Sequence, residues 1–355
     1  MNWKQLLNFE PGEVMGLDIG TSAVKLVALH KDGSSYTISA AGLVEIAAGR
    51  DHKSVVRAIR ECLALTRLRS KNRHKAKLAI CGLSGPEVAV RDFEFAALAD
   101  EDVEGAVMLE AAQMCPFNAE QAAVDYQLLP DETDKRQGVL VAATNMLITN
   151  KVQLAKEAGL RCVLMDVDGL ALLNCLNGLV GEQERAGTAI LNVGASHSTL
   201  AIMSEGGWPF IRDTNFAGDE IIRQMTAGNN MPQEMLRSML FGDSPESPAT
   251  LGESLEQACA ELIADVSETL RFYAAQKKSI PVKKIFVCGG FAPARGFVEL
   301  LGRRLGTEVL LWNPLDRMGP EASGESKDIY RTTGPAMAVA AGLAMRSIRN
   351  NGHES

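Results

Sequence analysis

The chain has 355 residues, of which 46% are hydrophobic, and its 36 Lys and Arg against 44 Asp and Glu give a net charge of −8. This composition excludes a disordered chain and a small disulfide scaffold, and the length predicts two domains with their own cores. The charge is uneven, because residues 50–77 hold ten Lys or Arg against two acids, which predicts a basic patch on an acidic body.

The first residues of the chain, MNWKQLLNFEPGE, lack the apolar run of a secretion signal. Within residues 1–12, Trp3, Leu6 and Leu7 are spaced for one amphipathic turn, which either docks on a partner or membrane or packs on its own domain. No stretch holds the about 18–20 apolar residues of a membrane helix. The seven cysteines form no C-x-x-C pair, so we expect a cytoplasmic protein with reduced thiols.

In the first half, strand and helix patterns alternate around a stretch of different character. The alternation predicts a mixed sheet with helices packed on it, which is the α/β class. The different stretch, 83–137, predicts a small inserted α+β subdomain in which Asp100 caps a helix that Pro116 ends. The first lobe is then predicted over 13–82 and 138–182. The predicted elements are a hairpin over 17–28, strand 36–46, helix 53–68, strand 76–82, strand 87–95, helix 100–114, strand 123–129, strand 138–143, a helix ending at Gly159, strand 161–165 and helix 168–180.

The second half repeats this scheme and predicts a second lobe over 183–348, followed by a polar tail at 349–355. Its smaller subdomain is expected over about 217–280. The predicted elements are strands 188–193, 198–204 and 208–212, helices 217–227 and 232–240, a polar loop 241–250, a long helix 251–278, strand 283–288, helix 295–305, strand 308–311, a loop 312–332 and a small-residue helix 334–348.

One short repeat relates the two halves. Residues 17–28, LDIGTSAVKLVA, align with residues 191–202, LNVGASHSTLAI, at a constant offset of about half the chain. In both copies a buried strand meets a small-residue turn and a second alternating strand, which is the pattern of a β-hairpin. The alignment pairs Asp18 with Asn192, Gly20 with Gly194, Ser22 with Ser196 and Lys25 with Thr199. We therefore expect two similar halves that each begin with such a hairpin.

The paired turns offer the chemistry that a nucleoside triphosphate needs. Phosphates require backbone N–H donors and small residues, and Mg²⁺ requires a carboxylate that holds its water shell. The first turn supplies Asp18 at a strand end and Lys25 as a cation. The residues expected to bind the cofactor in the two hairpins are Asp18, Gly20, Thr21, Ser22, Lys25, Gly194, Ala195 and Ser196.

A third element is expected at the same site. The segment KIFVCGGFA, residues 284–292, is a buried strand that runs into a Gly-Gly turn, where bare backbone approaches a ligand. Gly289 and Gly290 are therefore expected to lie against the adenosine, and Phe291 is expected with them among the cofactor-binding residues. Gly218 and Asp219, at a predicted helix start, complete the expected cofactor residues.

Three features leave alternatives open. His197 in the second turn either touches phosphate or is an exposed turn residue. Asp219 either contacts ribose or caps its helix. The basic stretch 50–77 either binds nucleic acid or anionic lipid or is a solvated helix face, and the acidic balance of the whole chain argues against nucleic acid.

Together these segments resemble the actin/Hsp70/sugar-kinase superfamily over residues 13–348. The resemblance implies an actin/Hsp70-like, ribonuclease H-like fold whose two lobes close on one nucleotide. It also implies two connecting helices, Asp168–Leu179 and Gly334–Arg346, of which the second is rich in Gly and Ala.

Within the superfamily the chain resembles the PilM family of type IV pilus assembly proteins, actin-like proteins near FtsA. The resemblance implies ATP with Mg²⁺ as cofactors, the metal held by Asp18 through water. It implies that the cytoplasmic tail of a PilN-like membrane protein docks between the first lobe and the insert. It also implies contacts with other platform proteins or motor ATPases. Through these partners the protein would associate peripherally with the inner membrane and serve twitching motility. The stretches that carry the resemblance are GLDIGTSAVKL at 16–26, LEAAQMCPF at 109–117, AVDYQLL at 123–129, VLVAAT at 139–144 and MDVDGLALL at 165–173.

The second hairpin departs from the superfamily pattern, which usually has Asp where this chain has Asn192. An amide lacks the negative charge that compensates Mg²⁺, so we expect ATP hydrolysis to be slow or absent. Asp168 is expected to orient water, with Asn174 and Asn177 as other candidates. Two alternatives stay open: a sugar or acid kinase of the same fold, and an FtsA-like filament-forming division protein, whose C-terminal amphipathic helix is not matched by the polar ending RNNGHES.

Overall fold

The computed structural model describes most of both predicted halves. The strands are β1 (Val14–Ile19), β2 (Ala23–Asp32), β3 (Ser35–Glu45), β4 (Lys77–Leu83), β5 (Val88–Phe95), β6 (Ala122–Leu128), β7 (Arg136–Thr144), β8 (Leu160–Val167), β9 (Thr188–Val193), β10 (Ser198–Met203), β11 (Pro209–Thr214), β12 (Lys284–Cys288), β13 (Glu308–Leu311) and β14 (Gly319–Pro320). The α-helices are α1 (His52–Leu65), α2 (Asp100–Met114), α3 (Asn145–Glu157), α4 (Asp168–Leu179), α5 (Glu182–Arg185), α6 (Gly218–Asn229), α7 (Gln233–Phe241), α8 (Pro248–Ala258), α9 (Ala260–Ala274), α10 (Phe297–Leu305) and α11 (Ala338–Arg349). The described residues are 14–33, 35–47, 49–66, 77–96, 98–129, 135–242, 248–320 and 332–349.

Some sequence features lie outside these ranges. They are the N-terminal segment 1–12, the tail beyond Arg349, and the part of the basic stretch between Thr66 and Lys77. Within the described ranges, every helix falls short of the length and apolar character that crossing a bilayer requires.

Two sheets share one strand order and one set of strand directions. In the first sheet the neighbours are β3, β2, β1, β4 and β8, and in the second they are β11, β10, β9, β12 and β13. In each, the first three strands pair antiparallel and the last two join in parallel. The short β14 extends the first sheet beside β3. The predicted two-lobed α/β fold is therefore confirmed, and the hairpins β1–β2 and β9–β10 hold equivalent places in it.

Two helices connect the sheets at the centre of the molecule. Helix α4 packs against β10, β11 and α11, while α11 packs on β1, β2 and β4. A Cβ atom at Gly342 would lie 1.9 Å from the Ala171 carbonyl oxygen, and one at Gly16 would lie 1.9 Å from the Ala340 carbonyl oxygen. Only glycine allows the backbones to approach so closely. The Gly and Ala content predicted for the last helix is thus explained by its packing.

The insert is a three-stranded antiparallel sheet in the order β5, β7, β6, with α2 on one face. The prediction that strand 138–143 returns to the sheet of the first lobe is wrong, because β7 is the central strand of the insert. Both faces of β7 are covered: Leu140 packs under α2, and Val139 packs near Trp208 of the second lobe. A strand buried on both faces has the continuous apolar pattern of a main-sheet strand. We therefore propose that the insert extends to Thr144.

Two local predictions are also wrong. Asp100 does not cap α2; the N-cap is Ala99, and the Asp100 carboxylate instead accepts a hydrogen bond from Arg136 at 2.7 Å. The long helix predicted over 251–278 is two helices, α8 and α9, interrupted at Cys259, where φ is −90° and ψ is −2°. The second helix ends early because the chain turns back, and the Ile280 N–H donates to the Tyr273 hydroxyl at 3.0 Å.

Candidate functional site

The first hairpin carries a buried ion pair next to its turn. Asp18 and Lys25 face each other in register on β1 and β2, and Lys25 Nζ lies 3.1 Å from Asp18 Oδ2. The Gly20 N–H donates to the Ala23 carbonyl oxygen at 3.1 Å, and a Cβ atom at Gly20 would lie 2.9 Å from Lys25 Nζ. Glycine therefore leaves room for the lysine to lie over the turn, where its charge is available to an anion.

The second hairpin has the same turn and a neutral pair. Asn192 and Thr199 face each other on β9 and β10, and the Gly194 N–H donates to the His197 carbonyl oxygen at 3.0 Å. Thr199 in turn faces Asp213 on β11, and its hydroxyl donates to Asp213 Oδ1 at 2.6 Å. The carboxylate that is missing at Asn192 therefore stands two strands away, at Asp213.

The two turns meet across the gap between the lobes. The Thr21 hydroxyl donates to Ser196 Oγ at 3.0 Å, and Ser196 Oγ is 2.7 Å from His197 Nδ1. His197 is half-buried against Gly85 rather than exposed, so the alternative of an exposed turn residue is wrong. Among the described residues, the N–H groups of Thr21, Ser22, Ala195 and Ser196 make no backbone hydrogen bond. These four donors are available to phosphate oxygens.

The Gly-Gly turn after β12 borders the second hairpin. Gly289 has a φ of +97°, and a Cβ atom there would lie 2.4 Å from the Val193 carbonyl oxygen, whereas Gly290 faces open space. This fits a turn whose backbone approaches a ligand. The Phe291 ring packs in the core of the second lobe against Phe241 and Phe297, and the contact of this turn with the cofactor stays a prediction.

Asp219 lies at the rim of the gap and links the lobes. It is not the cap of α6, because Ala217 holds that position. Its N–H donates to the Ala195 carbonyl oxygen at 2.8 Å, while the Gly218 N–H donates to that of Gly194 at 3.1 Å. The Asp219 carboxylate pairs with Arg50 of the first lobe at 2.8 Å and with Arg237 at 3.6 Å.

Asp168 is the first residue of α4 and lies buried between the lobes. Burial, reinforced by the negative charge of Asp18, raises the pKa of Asp168 to about 7. The neighbouring Ser84 side chain opposes this pKa shift, and Asp168 Oδ1 has no hydrogen-bond partner. Asn174 and Asn177 lie about 9 and about 13 Å further along the helix axis, so the structure does not bring them to Asp168.

Sequence reasoning missed several polar residues of this site. The missed groups are Lys151, whose Nζ donates to the Ile19 carbonyl oxygen, together with Arg50, Ser84 and Asp213. None belongs to a recognisable motif, because each reaches the site from a different element. Only long-range packing brings them together.

The residues present fit a nucleoside triphosphate. Free N–H donors stand in both turns, Lys25 offers a cation, and Gly290 leaves space for close approach. No three His, Cys, Asp or Glu side chains of the described ranges are close enough to ligate a metal directly. Asp18 is the carboxylate of the first hairpin that would hold Mg²⁺ through its water shell, since this ion keeps several waters.

Two lobes of equal topology around such a gap define an actin-like protein. A family model described as type IV pilus assembly protein PilM matches residues 16–348. The chain therefore belongs to the PilM family of type IV pilus assembly proteins, which confirms the prediction from its motifs. The kinase and division-protein alternatives are not favoured by this match.

Solved structures of the same fold match almost the whole chain. The PilM–PilN type IV pilus biogenesis complex matches with a TM-score of 0.78 at 22% identity, covering 96% of this chain and 99% of that chain. The ethanolamine utilization protein EutJ from Carboxydothermus hydrogenoformans matches with a TM-score of 0.55 at 14% identity, over 96% and 92%. The MamK double helical filament matches with a TM-score of 0.50 at 12% identity, over 94% and 98%. At these identities the likeness shows the fold alone.

Proposed function

We propose that this protein is an ATP-binding adaptor of the type IV pilus inner-membrane platform. The observation that carries the proposal is the meeting of two equivalent hairpins, one from each lobe, at Thr21 and Ser196. Their unpaired N–H groups form two facing sets of anion donors. A triphosphate held between them contacts both lobes at once, so its binding favours the closed arrangement of the lobes.

Mg²⁺, when bound, supplies charge that neutralises the phosphates. Asp18 is the residue that would hold it through water, and Lys25, now paired with Asp18, is the cation that would meet a phosphate oxygen. Asn192 supplies no negative charge, and Asp213 is engaged by Thr199 and by the Gly85 N–H. Neither group therefore serves as a free base for water, which leaves the buried Asp168 to orient it. ATP hydrolysis is slow or absent because Asn192 lacks the charge that compensates Mg²⁺.

The partner is the N-terminal cytoplasmic tail of a PilN-like membrane protein. Support comes from the similar structure, which is a PilM–PilN complex. We place the tail on an open, shallow surface along α3, called here the α3 groove and lined by Asn145, Met146, Thr149, Asn150 and Gln153. Met146 is 74% exposed and provides an apolar contact, while the amide and hydroxyl groups suit the backbone of an extended peptide. Membrane association then follows indirectly, through the partner.

Isothermal titration calorimetry with a synthetic N-terminal tail peptide of a PilN-type protein tests the proposal. Saturable binding to the wild type, weakened at least tenfold by Met146→Asp, is the expected result. Gln233→Asp, at the start of α7 in the second lobe, is the control and should leave the affinity unchanged. No saturable heat in the presence or absence of ATP would remove the adaptor proposal.

A further inference from the structure

The short segment Ser84, Gly85, Pro86 and Glu87, called here the 84–87 turn, connects β4 of the first lobe to β5 of the insert. We propose that this turn is the element through which nucleotide between the lobes regulates the α3 groove. The proposal rests on the proposed function and names the residues that would link its two sites.

At one end the turn is bound to the second lobe. The Gly85 N–H donates to Asp213 Oδ2 at 3.0 Å, and Asp213 is held by Thr199 beside Asn192 of the second hairpin. His197 packs on the same glycine: a Cβ atom at Gly85 would lie 3.3 Å from His197 Nε2. Gly85 has a φ of +98°, a conformation that other residues rarely adopt. A movement of the second hairpin is therefore passed directly to Gly85.

The same turn also contacts the connecting helix. Ser84 lies beside the buried Asp168 carboxyl group at the start of α4 and acts to lower its pKa. Gly82, two residues before the turn, packs on the same carboxyl group, because a Cβ atom there would lie 2.1 Å from Asp168 Oδ1. The turn therefore lies between α4 and the second lobe, where a change in the position of one lobe relative to the other would reach it.

At its other end the turn is bound to the groove. The Thr144 N–H donates to the Glu87 carbonyl oxygen at 3.1 Å, and the Thr144 hydroxyl donates to Glu87 Oε1 at 2.7 Å. Thr144 is also the N-cap of α3, because its Oγ1 accepts a hydrogen bond from the Leu147 N–H at 3.3 Å. The next two residues, Asn145 and Met146, line the α3 groove.

These contacts form one continuous path of hydrogen bonds and packed side chains. It runs from Ser196 and His197 to Gly85, through Glu87 to Thr144, and ends at the groove. The quantity that tests this path is the coupling free energy between the nucleotide site and the α3 groove. By linkage, ATP and peptide must change each other's affinity by the same factor.

The test compares peptide affinity with and without saturating ATP, using the synthetic PilN-type tail peptide in calorimetry. For the wild type we expect the two dissociation constants to differ at least about fivefold, the lower end of typical coupling. In Glu87→Ala and in Asp213→Ala the ratio should fall to about 1–2. Asp92→Ala, which removes an exposed acid of β5, is the control and should keep the wild-type ratio. Glu87→Ala should leave each separate affinity within about threefold of wild type.

Two results would overturn the inference. One is a wild type that binds both ligands with a ratio of 1, and the other is a ratio that persists in both variants. A second measurement separates this failure from failure of the proposed function. In the wild type, addition of ATP should slow amide hydrogen exchange in residues 84–87 and in residues 145–149. In Glu87→Ala, ATP should slow exchange in residues 84–87 only. Unchanged exchange in the wild type would overturn the inference whether or not the peptide binds.

Discussion

The hairpins of the two lobes are the same backbone structure with different chemistry. Both pair antiparallel, both close a glycine turn, and both lie at the same place in their sheets. The first carries an ion pair, Asp18–Lys25, whereas the second carries Asn192 and Thr199. The fold therefore requires only the turn, while the ion pair is confined to the first hairpin.

The two lobes also differ in one buried residue on the first strand of each hairpin. Gly16 on β1 and Ile190 on β9 are equivalent, and both are buried. Glycine is required on β1 because α11 lies directly on it, with the Ala340 carbonyl oxygen at the place where a Cβ atom would be. On β9 an isoleucine fills the corresponding space. Substitutions at these positions and on the two hairpins test this asymmetry.

Gly16→Ala should destabilise the protein by at least about 3 kcal/mol, the upper part of the range for overpacking, because the clash is with a backbone atom. Chemical denaturation followed by circular dichroism measures the loss. The control is Gly105→Ala on α2, where a Cβ atom would meet no atom within 4 Å. It should stabilise by about 0.5–1 kcal/mol through helix propensity. Equal stability of Gly16→Ala and wild type would contradict the packing of α11 on β1.

Asp18→Ala should weaken Mg-ATP binding at least about 100-fold, or about 2.7 kcal/mol, because the variant loses its only acid in the first turn. Calorimetry or fluorescence of a labelled nucleotide gives the affinity. Asp32→Ala, at the exposed far end of β2, is the matched control and should bind normally. If the affinity of Asp18→Ala stays unchanged, the first hairpin is structural and the charge asymmetry has no role in binding.

Asp168→Asn should change how stability depends on pH. The pKa of Asp168 is raised from 3.8 to about 7 by burial and by Asp18, so the folded protein binds more protons than the unfolded chain between these values. The protonated Asp168 carboxyl group makes its full contribution to the free energy of unfolding below about pH 4, and this contribution is lost as the pH rises through about 7. At about 1.4 kcal/mol per pKa unit, the full pKa shift of Asp168 corresponds to about 4 kcal/mol. We expect the variant to be more stable than wild type by about half of this, about 2 kcal/mol, at pH 8.

Thermal unfolding at two pH values checks this expectation. At pH 4 the wild-type carboxyl group is protonated, so the two proteins should unfold at similar temperatures. The same difference at both pH values would show that Asp168 does not titrate near neutrality.

Asn192→Asp should raise ATP hydrolysis about tenfold, or about 1.4 kcal/mol in the barrier, because it restores the missing charge on the second hairpin. Phosphate release under single-turnover conditions gives the rate. Asn215→Asp, just after β11, adds the same charge at an exposed position and should have no effect. A flat rate in Asn192→Asp would mean that another group limits the reaction.

The sequence contained enough to predict the hairpins and connecting helices, because local patterns specify them. A buried strand that ends in a small-residue turn is recognisable at 17–28 and again at 191–202, and the helix that the pattern predicts over 168–180 is α4, Asp168–Leu179. The cause is that apolar periodicity and turn chemistry act over a few residues.

Other features depend on contacts between distant parts of the chain. Strand β7 was assigned to the wrong sheet, since burial on both faces looks the same in an insert and in a main sheet. Asp213 and Arg50 were missed because their partners, Gly85 and Asp219, lie more than 100 residues away. Hydrophobic periodicity carries no information about such long-range pairs, and only the folded structure shows them.

The central claim is that two equivalent hairpins hold one nucleotide between the lobes. A crystal structure of the protein with Mg²⁺ and a non-hydrolysable ATP analogue tests it most directly. We predict phosphate oxygens within hydrogen-bond distance of N–H groups in both 20–22 and 194–196, with Lys25 Nζ moved from Asp18 to a phosphate. A nucleotide bound elsewhere, or held by one hairpin alone with the Asp18–Lys25 pair intact, would contradict the account.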